Sequence, residues 1–71
     1  MELEIKDEFI RLGQAMKLAG FSDDGVQAKY QITQGNVSVN GEQELRRGRK
    51  LYPGDTFSFK GKAVSIKSYV Y

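Results

Sequence analysis

At Gly35 the hydrophobic repeat of this chain changes period, which limits the fold to a helical half followed by a sheet half. Before it, Phe9, Leu12, Met16 and Ala19 recur at helical spacing, with Ala15 and Leu18 widening the apolar stripe and Gly20 ending it. Asp7 is placed to cap this first helix. Ser22 or Asp23 is placed to cap a second, in which Val26, Tyr30 and Thr33 share one face, Ala28 and Ile32 lie beside it, and Gly35 supplies the stop. After Gly35, Val37 and Val39 point one way while Asn36, Ser38 and Asn40 point the other, the alternation of a strand. Asn40-Gly41 predicts a tight hairpin, because both residues tolerate the positive φ of a type I′ turn. Pro53-Gly54 marks another turn, Thr56-Phe57-Ser58-Phe59 reads as a strand, Lys60-Gly61-Lys62 reverses it, and Val64-Ser65-Ile66-Lys67 alternates again. Residues 2–6 also alternate, predicting a short N-terminal strand. The expected fold class is α+β, two short helices packed on a small twisted antiparallel sheet. Phe9, Leu12, Met16, Val26, Ile32, Val37, Val39, Phe57 and Phe59 are assigned to its core.

A chain of 71 residues makes one domain, residues 1–71, with a core too small for a deep substrate cavity. No internal repeat or linker divides it. The sequence contains no cysteine, so neither disulfides nor a thiolate zinc site can staple it, and a reducing cytoplasm is the expected location. No apolar stretch approaches the roughly 20 residues of a membrane span, and the acidic start MELEIKDE is unlike a signal peptide. The pattern favours a monomer.

Charge is distributed unevenly. Three cations stand against six anions through Ala28, and eight against three from Lys29 onward. Four of those eight fall in the run Arg46-Arg47-Gly48-Arg49-Lys50. Like charges repel within a Debye length of about 10 Å, so such a run is most natural where a polyanion neutralises it, and nucleic acid is the obvious one. The plain alternative is a solvated hairpin edge kept soluble by its charge. Glu42 and Glu44 sit opposite the arginines and moderate them. Strand alternation would separate Arg46 from Arg47, whereas a bend at Gly48 would gather Arg47, Arg49 and Lys50. Catalysis has little to work with. There is no histidine or cysteine, no phosphate-cradling glycine motif, and the carboxylates at Asp23-Asp24 read as helix capping, so no enzyme, cofactor or metal is expected.

The order of segments resembles the RNA-binding domain first defined in small-subunit ribosomal protein S-four, the alpha-L motif, over residues 11–59. Arg11-Leu12 and Ala19-Gly20 match the ends of its first helix. Ala28-Lys29, Ile32 and Gly35 match the second, Val37, Val39, Asn40 and Gly41 match Val-x-Val-Asn-Gly, and Gly54-Asp55 matches the Gly-Asp before the last strand. Leu12-Gly13-Gln14, Lys17-Leu18-Ala19 and Arg46-Arg47-Gly48-Arg49-Lys50-Leu51-Tyr52 are similar to a subgroup of very small bacterial proteins in which the domain stands alone. The resemblance implies RNA binding, with a role in ribosome assembly or translation. Three departures stand out: Gly25 and Gln14 replace an arginine and a lysine common in the family's helices, and Ser38 replaces a basic residue of Val-x-Val. The substitutions shift the expected binding centre toward the hairpin return.

The expected RNA contacts are therefore Arg46, Arg47, Arg49 and Lys50, flanked by Arg11, Lys17 and Lys29 and by the polar residues Asn36, Ser38 and Asn40. Arginine suits structured RNA because its planar fork donates two hydrogen bonds to one phosphate. Tyr52 either stacks on a base or packs into the core. Lys67, Tyr69 and Tyr71 either form an aromatic platform or cover the sheet beside the N-terminal strand. The competing reading is an adaptor whose basic edge meets an acidic protein. A ubiquitin-like sulfur carrier would end in Gly-Gly, and this chain ends Val70-Tyr71.

Overall fold

The computed structural model describes residues 1–69. In chain order it contains β1 (Glu2–Ile5), β2 (Ile10–Arg11), α1 (Leu12–Leu18), α2 (Gly25–Thr33), β3 (Val37–Val39), β4 (Glu42–Gln43), β5 (Lys50–Leu51), β6 (Thr56–Phe59) and β7 (Lys62–Ser68). Five strands form one sheet in the order β1-β7-β6-β3-β4, and β2 pairs with β5 in a separate two-stranded ribbon. The expected α+β architecture is present, but the sheet is mixed rather than antiparallel. β1 runs parallel to β7, with Leu3 beside Ile66 and Ile5 beside Ser68. A parallel pair needs a long crossover, and here the whole domain lies between the two strands. Tyr69 continues the pairing by donating its N–H to the Ile5 carbonyl at 2.8 Å. Lys67 pairs with Glu2 at 3.4 Å, while Tyr71 lies outside the described residues.

Helix α1 begins later than Asp7 predicts. Ile10 is drawn into the ribbon opposite Leu51, both apolar side chains are buried, and Arg11 in extended geometry becomes the N-cap. Both helices end in Schellman motifs, where a glycine with positive φ lets two amides turn back on free carbonyls. Phe21 and Gly20 donate to Met16 and Lys17, and Asn36 and Gly35 donate to Gln31 and Ile32. Gly35 is doubly constrained: its φ is +85°, and a Cβ there would collide with the Gln43 amide that donates to its carbonyl. Helix α2 is capped not by the expected Ser22 or Asp23 but by Asp24, whose carboxylate accepts from the Gln27 N–H at 2.8 Å.

The core lies between the helices and one face of the sheet. Leu12, Ala15 and Met16 of α1, Ala28 and Ile32 of α2, Val37, Phe57, Val64 and Ile66 of the sheet, and Leu51 of the ribbon are all fully buried. The buried face of α2 is not the expected one. Val26 is 79% exposed and Tyr30 60% exposed, with Thr33 also outward. Apolar residues occur on two sides of this helix, and the inward side carries the buried Ala28 and Ile32 and packs with α1, whose Ala15 is also buried. Leu18 is likewise exposed, and Phe9 stands half-buried outside the core cluster.

Candidate nucleic-acid interface

The basic run does not stay in the sheet. After Gln43 the chain leaves β4, and Glu44 turns inward to become the one charged residue buried among the described residues. Its carboxylate accepts from the N–H groups of Leu45 and Arg46 at 3.1 and 3.2 Å, from Arg46 Nε at 3.0 Å and from Arg49 Nη1 at 2.7 Å. Arg46, foremost, with Arg49 and the Arg46 amide adding to it against the cost of burial, holds the Glu44 carboxyl at about 2 rather than 4.5. Glu42, expected to share this role, makes no ion pair among the described residues.

A turn then reverses the chain, with Arg49 donating its N–H to the Arg46 carbonyl at 3.2 Å. The outward carbonyls of this turn do the work of a helix cap. Those of Arg49 and Arg47 accept from the Leu12 and Gly13 amides at 2.8 and 2.9 Å, satisfying first-turn donors of α1 that no side chain caps. Arg11 closes the junction from the other side, Nη1 donating to the Gly48 carbonyl at 3.0 Å. The loop is therefore fixed at both ends, by Glu44 beneath it and by α1 beside it.

Between this loop and the two helices lies an open groove of about 390 Å³. Arg11, Lys17 and Arg47 supply its charge, and Gln14 lies among them. Gly13 and Gly25 leave its floor bare; a Cβ at Gly25 would meet nothing within 4 Å, and one at Gly13 would only touch Arg47. Among the described residues no carboxylate lines it. Such a surface supplies donors and positive charge to an extended anion, and it offers no group to move a proton. Among the described residues no group of carboxylates could hold a metal ion.

The four clustered cations are thus sorted by direction. Arg46 and Arg49 bind Glu44, Arg47 faces the groove, and Lys50 stands on β5 opposite Arg11. Lys17 reaches the groove from α1, whereas Lys29 is exposed on α2 and does not line it. The polar residues Asn36, Ser38 and Asn40 lie outside the groove. Asn36 donates to Gln31 Oε1 at 2.7 Å, and Ser38 lies on the sheet between Ser58 and Gln43. Asn40 ties the hairpin to the next turn: its Nδ2 donates to Asp55 at 3.1 Å and its Oδ1 accepts from the Thr56 amide at 3.0 Å. The buried brace at Glu44 and the glycine floor went unmarked by any hydrophobic pattern. An acid two residues before a basic run was the available signal for the brace.

Glu44→Gln tests the brace. The folded-state pKa lies below the unfolded one, so the stabilisation is complete above pH 4.5 and is lost as pH falls through about 2. At neutral pH the variant should be less stable by about 1–2 kcal/mol, a modest value because Arg46 is largely in solvent. Urea titrations at several pH values should show the difference closing toward pH 2. A difference independent of pH would mean that charge is not what Glu44 contributes.

Two helices, a small sheet and a basic turn docked on the first helix define an alpha-L fold. The chain belongs to the S4 domain family, matching it over residues 3–67. Similar proteins include the probable ribosome maturation protein RlbA of Bacillus subtilis, 44% identical over 59 residues and 83% of each chain. Another is the putative RNA-binding protein YbcJ of Escherichia coli, 39% identical over 61 residues, 86% of this chain and 87% of the relative. The solution structure of YbcJ, described as revealing an alfaL motif involved in RNA-binding, superposes with a TM-score of 0.71 at 36% identity, covering 93% of this chain and 85% of that one.

Proposed function

We propose that this protein is a non-catalytic RNA-binding module that docks on structured RNA, ribosomal RNA above all, during ribosome assembly or translation in the cytoplasm. The observation that carries this reading is the groove: three cations, Arg11, Lys17 and Arg47, around bare glycine backbone, with no carboxylate among the described residues that line it. Phosphates can approach the backbone closely at Gly13 and Gly25, and the arginine forks can bind them bidentately. A-form RNA is recognised mainly through its phosphates, 2′-hydroxyls and shape, which a rigid basic groove suits. The names of the relatives, one a probable ribosome maturation protein and one a putative RNA-binding protein, support the same reading. Among the described residues no helix is long and apolar enough to cross a membrane.

Crosslinking the protein to RNA in cells and sequencing the attached fragments tests this. Enrichment of particular structured RNAs over a charge-matched control protein is expected, with the native complex falling apart under ribonuclease. Enrichment equal to the control would contradict specific recognition, and a complex that survives ribonuclease would point to an acidic protein partner.

A further inference from the structure

The ribbon formed by β2 and β5 carries a second surface beside the groove. In an antiparallel pair, residues directly opposite share a face and successive residues alternate between faces. Ile10 and Leu51 face inward and are buried. Arg11 and Lys50, the next pair, must face outward, and one step the other way the same register puts Phe9 and Tyr52 on that outer face too. The side chains meet there. The Phe9 and Tyr52 rings lie 5.8 Å apart at 50°, Lys50 Nζ is 4.8 Å from the Phe9 centroid, and the Arg11 guanidinium carbon is 5.6 Å from it. Two aromatics and two cations thus form one square on the surface.

The two rings are not equivalent. Phe9 is half-buried and engaged by both cations and by Tyr52, whereas Tyr52 is 42% exposed and its hydroxyl has no hydrogen-bond partner among the described residues. Its backbone, by contrast, is held firmly. The Tyr52 N–H donates to Asp55 Oδ2 at 2.8 Å, its carbonyl accepts from the Asp55 amide at 2.9 Å, and Asp55 is itself held by Asn40. A ring presented from a fixed turn loses little freedom when something stacks on it. Arg11 belongs to both surfaces, since it also walls the groove, so a strand whose phosphates follow the groove reaches the Arg11–Phe9 contact that backs Tyr52.

We propose that Tyr52, backed by Phe9 and flanked by Arg11 and Lys50, is a stacking subsite for one unpaired nucleobase. The RNA class preferred is accordingly a duplex interrupted by a bulged nucleotide, rather than a continuous helix. Cations beside the ring neutralise the phosphates on either side of the displaced base, and the ring supplies the stacking that the base loses on leaving the helix. This deepens the RNA-binding reading and rests on it.

The test uses two RNA stem-loops, one carrying a bulged 2-aminopurine and one with that base paired to uridine. The wild-type protein and Tyr52→Phe should bind the bulged stem roughly tenfold more tightly than the paired one, with the 2-aminopurine fluorescence changing on binding. Tyr52→Leu, which keeps apolar bulk against Phe9, should lose that preference while binding the paired stem as the wild type does and with the same salt dependence; its melting temperature checks the fold. Equal, salt-sensitive binding of both stems by the wild type would overturn the subsite and leave the groove in place. A preference that survives in Tyr52→Leu would also overturn it. Failure of the wild type to bind either stem would remove both this subsite and the RNA-binding reading.

Discussion

Reversing the charge at Lys17 and Arg47 together should lower affinity for structured RNA by about a hundredfold at low salt, without unfolding the protein. The size follows from two lost phosphate contacts and two new repulsions in a small groove, together about 3 kcal/mol at solvent-exposed, salt-screened sites. The fold should survive because neither side chain makes a hydrogen bond or ion pair among the described residues, and the carbonyls that accept from Gly20 and Gly13 are kept in the variant. Arg46 is the contrasting position. Its guanidinium lies against Glu44 at 3.0 Å, so Arg46→Glu would set two carboxylates side by side and disturb the loop before any RNA is present. Filter binding and thermal melting on both variants separate the effects. If Lys17→Glu/Arg47→Glu bound as tightly as the wild type, the groove would not be the docking surface.

Truncating Phe57 to alanine should unfold most of the protein at 25 °C. Phe57 is fully buried on β6, flanked across the sheet by Val39 and Val64, and its ring meets Phe21 edge-on with centroids 6.0 Å apart at 78°. Removing a phenyl ring from such a site costs about 3–5 kcal/mol, as much as the whole net stability expected of a domain this size. Val26→Ser, on the exposed side of α2, should change stability by no more than about 0.5 kcal/mol. Urea denaturation of the two variants checks the core assignment in one experiment. A Val26→Ser loss as large as that of Phe57→Ala would mean that α2 packs through the face its sequence first suggests.

What could be read in the sequence was mostly local. Asn40-Gly41 and Lys60-Gly61 both turn with positive φ at each residue, 52° and 85° in the first and 51° and 79° in the second, as two-residue hairpins require. Gly20 and Gly35 stop their helices because only glycine enters that conformation without strain. What was misread depends on partners distant in sequence. Asp7 looks like a helix cap until Lys50 and Leu51 arrive to pair with Arg11 and Ile10, and the direction of β1 is set by β7 at the other end of the chain. The inward face of α2 is the one carrying the buried Ala28 and Ile32 and is set by packing with α1, where a count of large apolar residues points the other way.

The candidate site follows the same division. A charge count finds the run from Arg46 to Lys50 and treats its members alike, because linear charge carries no direction. The fold gives each a direction. Glu44 takes Arg46 and Arg49, the α1 amides fix the turn so that Arg47 faces the groove, and the ribbon sets Lys50 beside Arg11 and Phe9. Gln14 and Gly25, where cations are absent, line the same groove that Arg47 enters from the loop. The loss on the helices and the gain on the hairpin return therefore concern one surface.

The salt dependence of RNA binding measures that surface most directly. With Arg11, Lys17 and Arg47 of the groove and Lys50 of the adjoining ribbon each neutralising one phosphate, log affinity should fall against log salt with a slope of about −3 to −4, and with about −1.5 for Lys17→Glu/Arg47→Glu. A slope near zero, or one unchanged by the double reversal, would contradict the account.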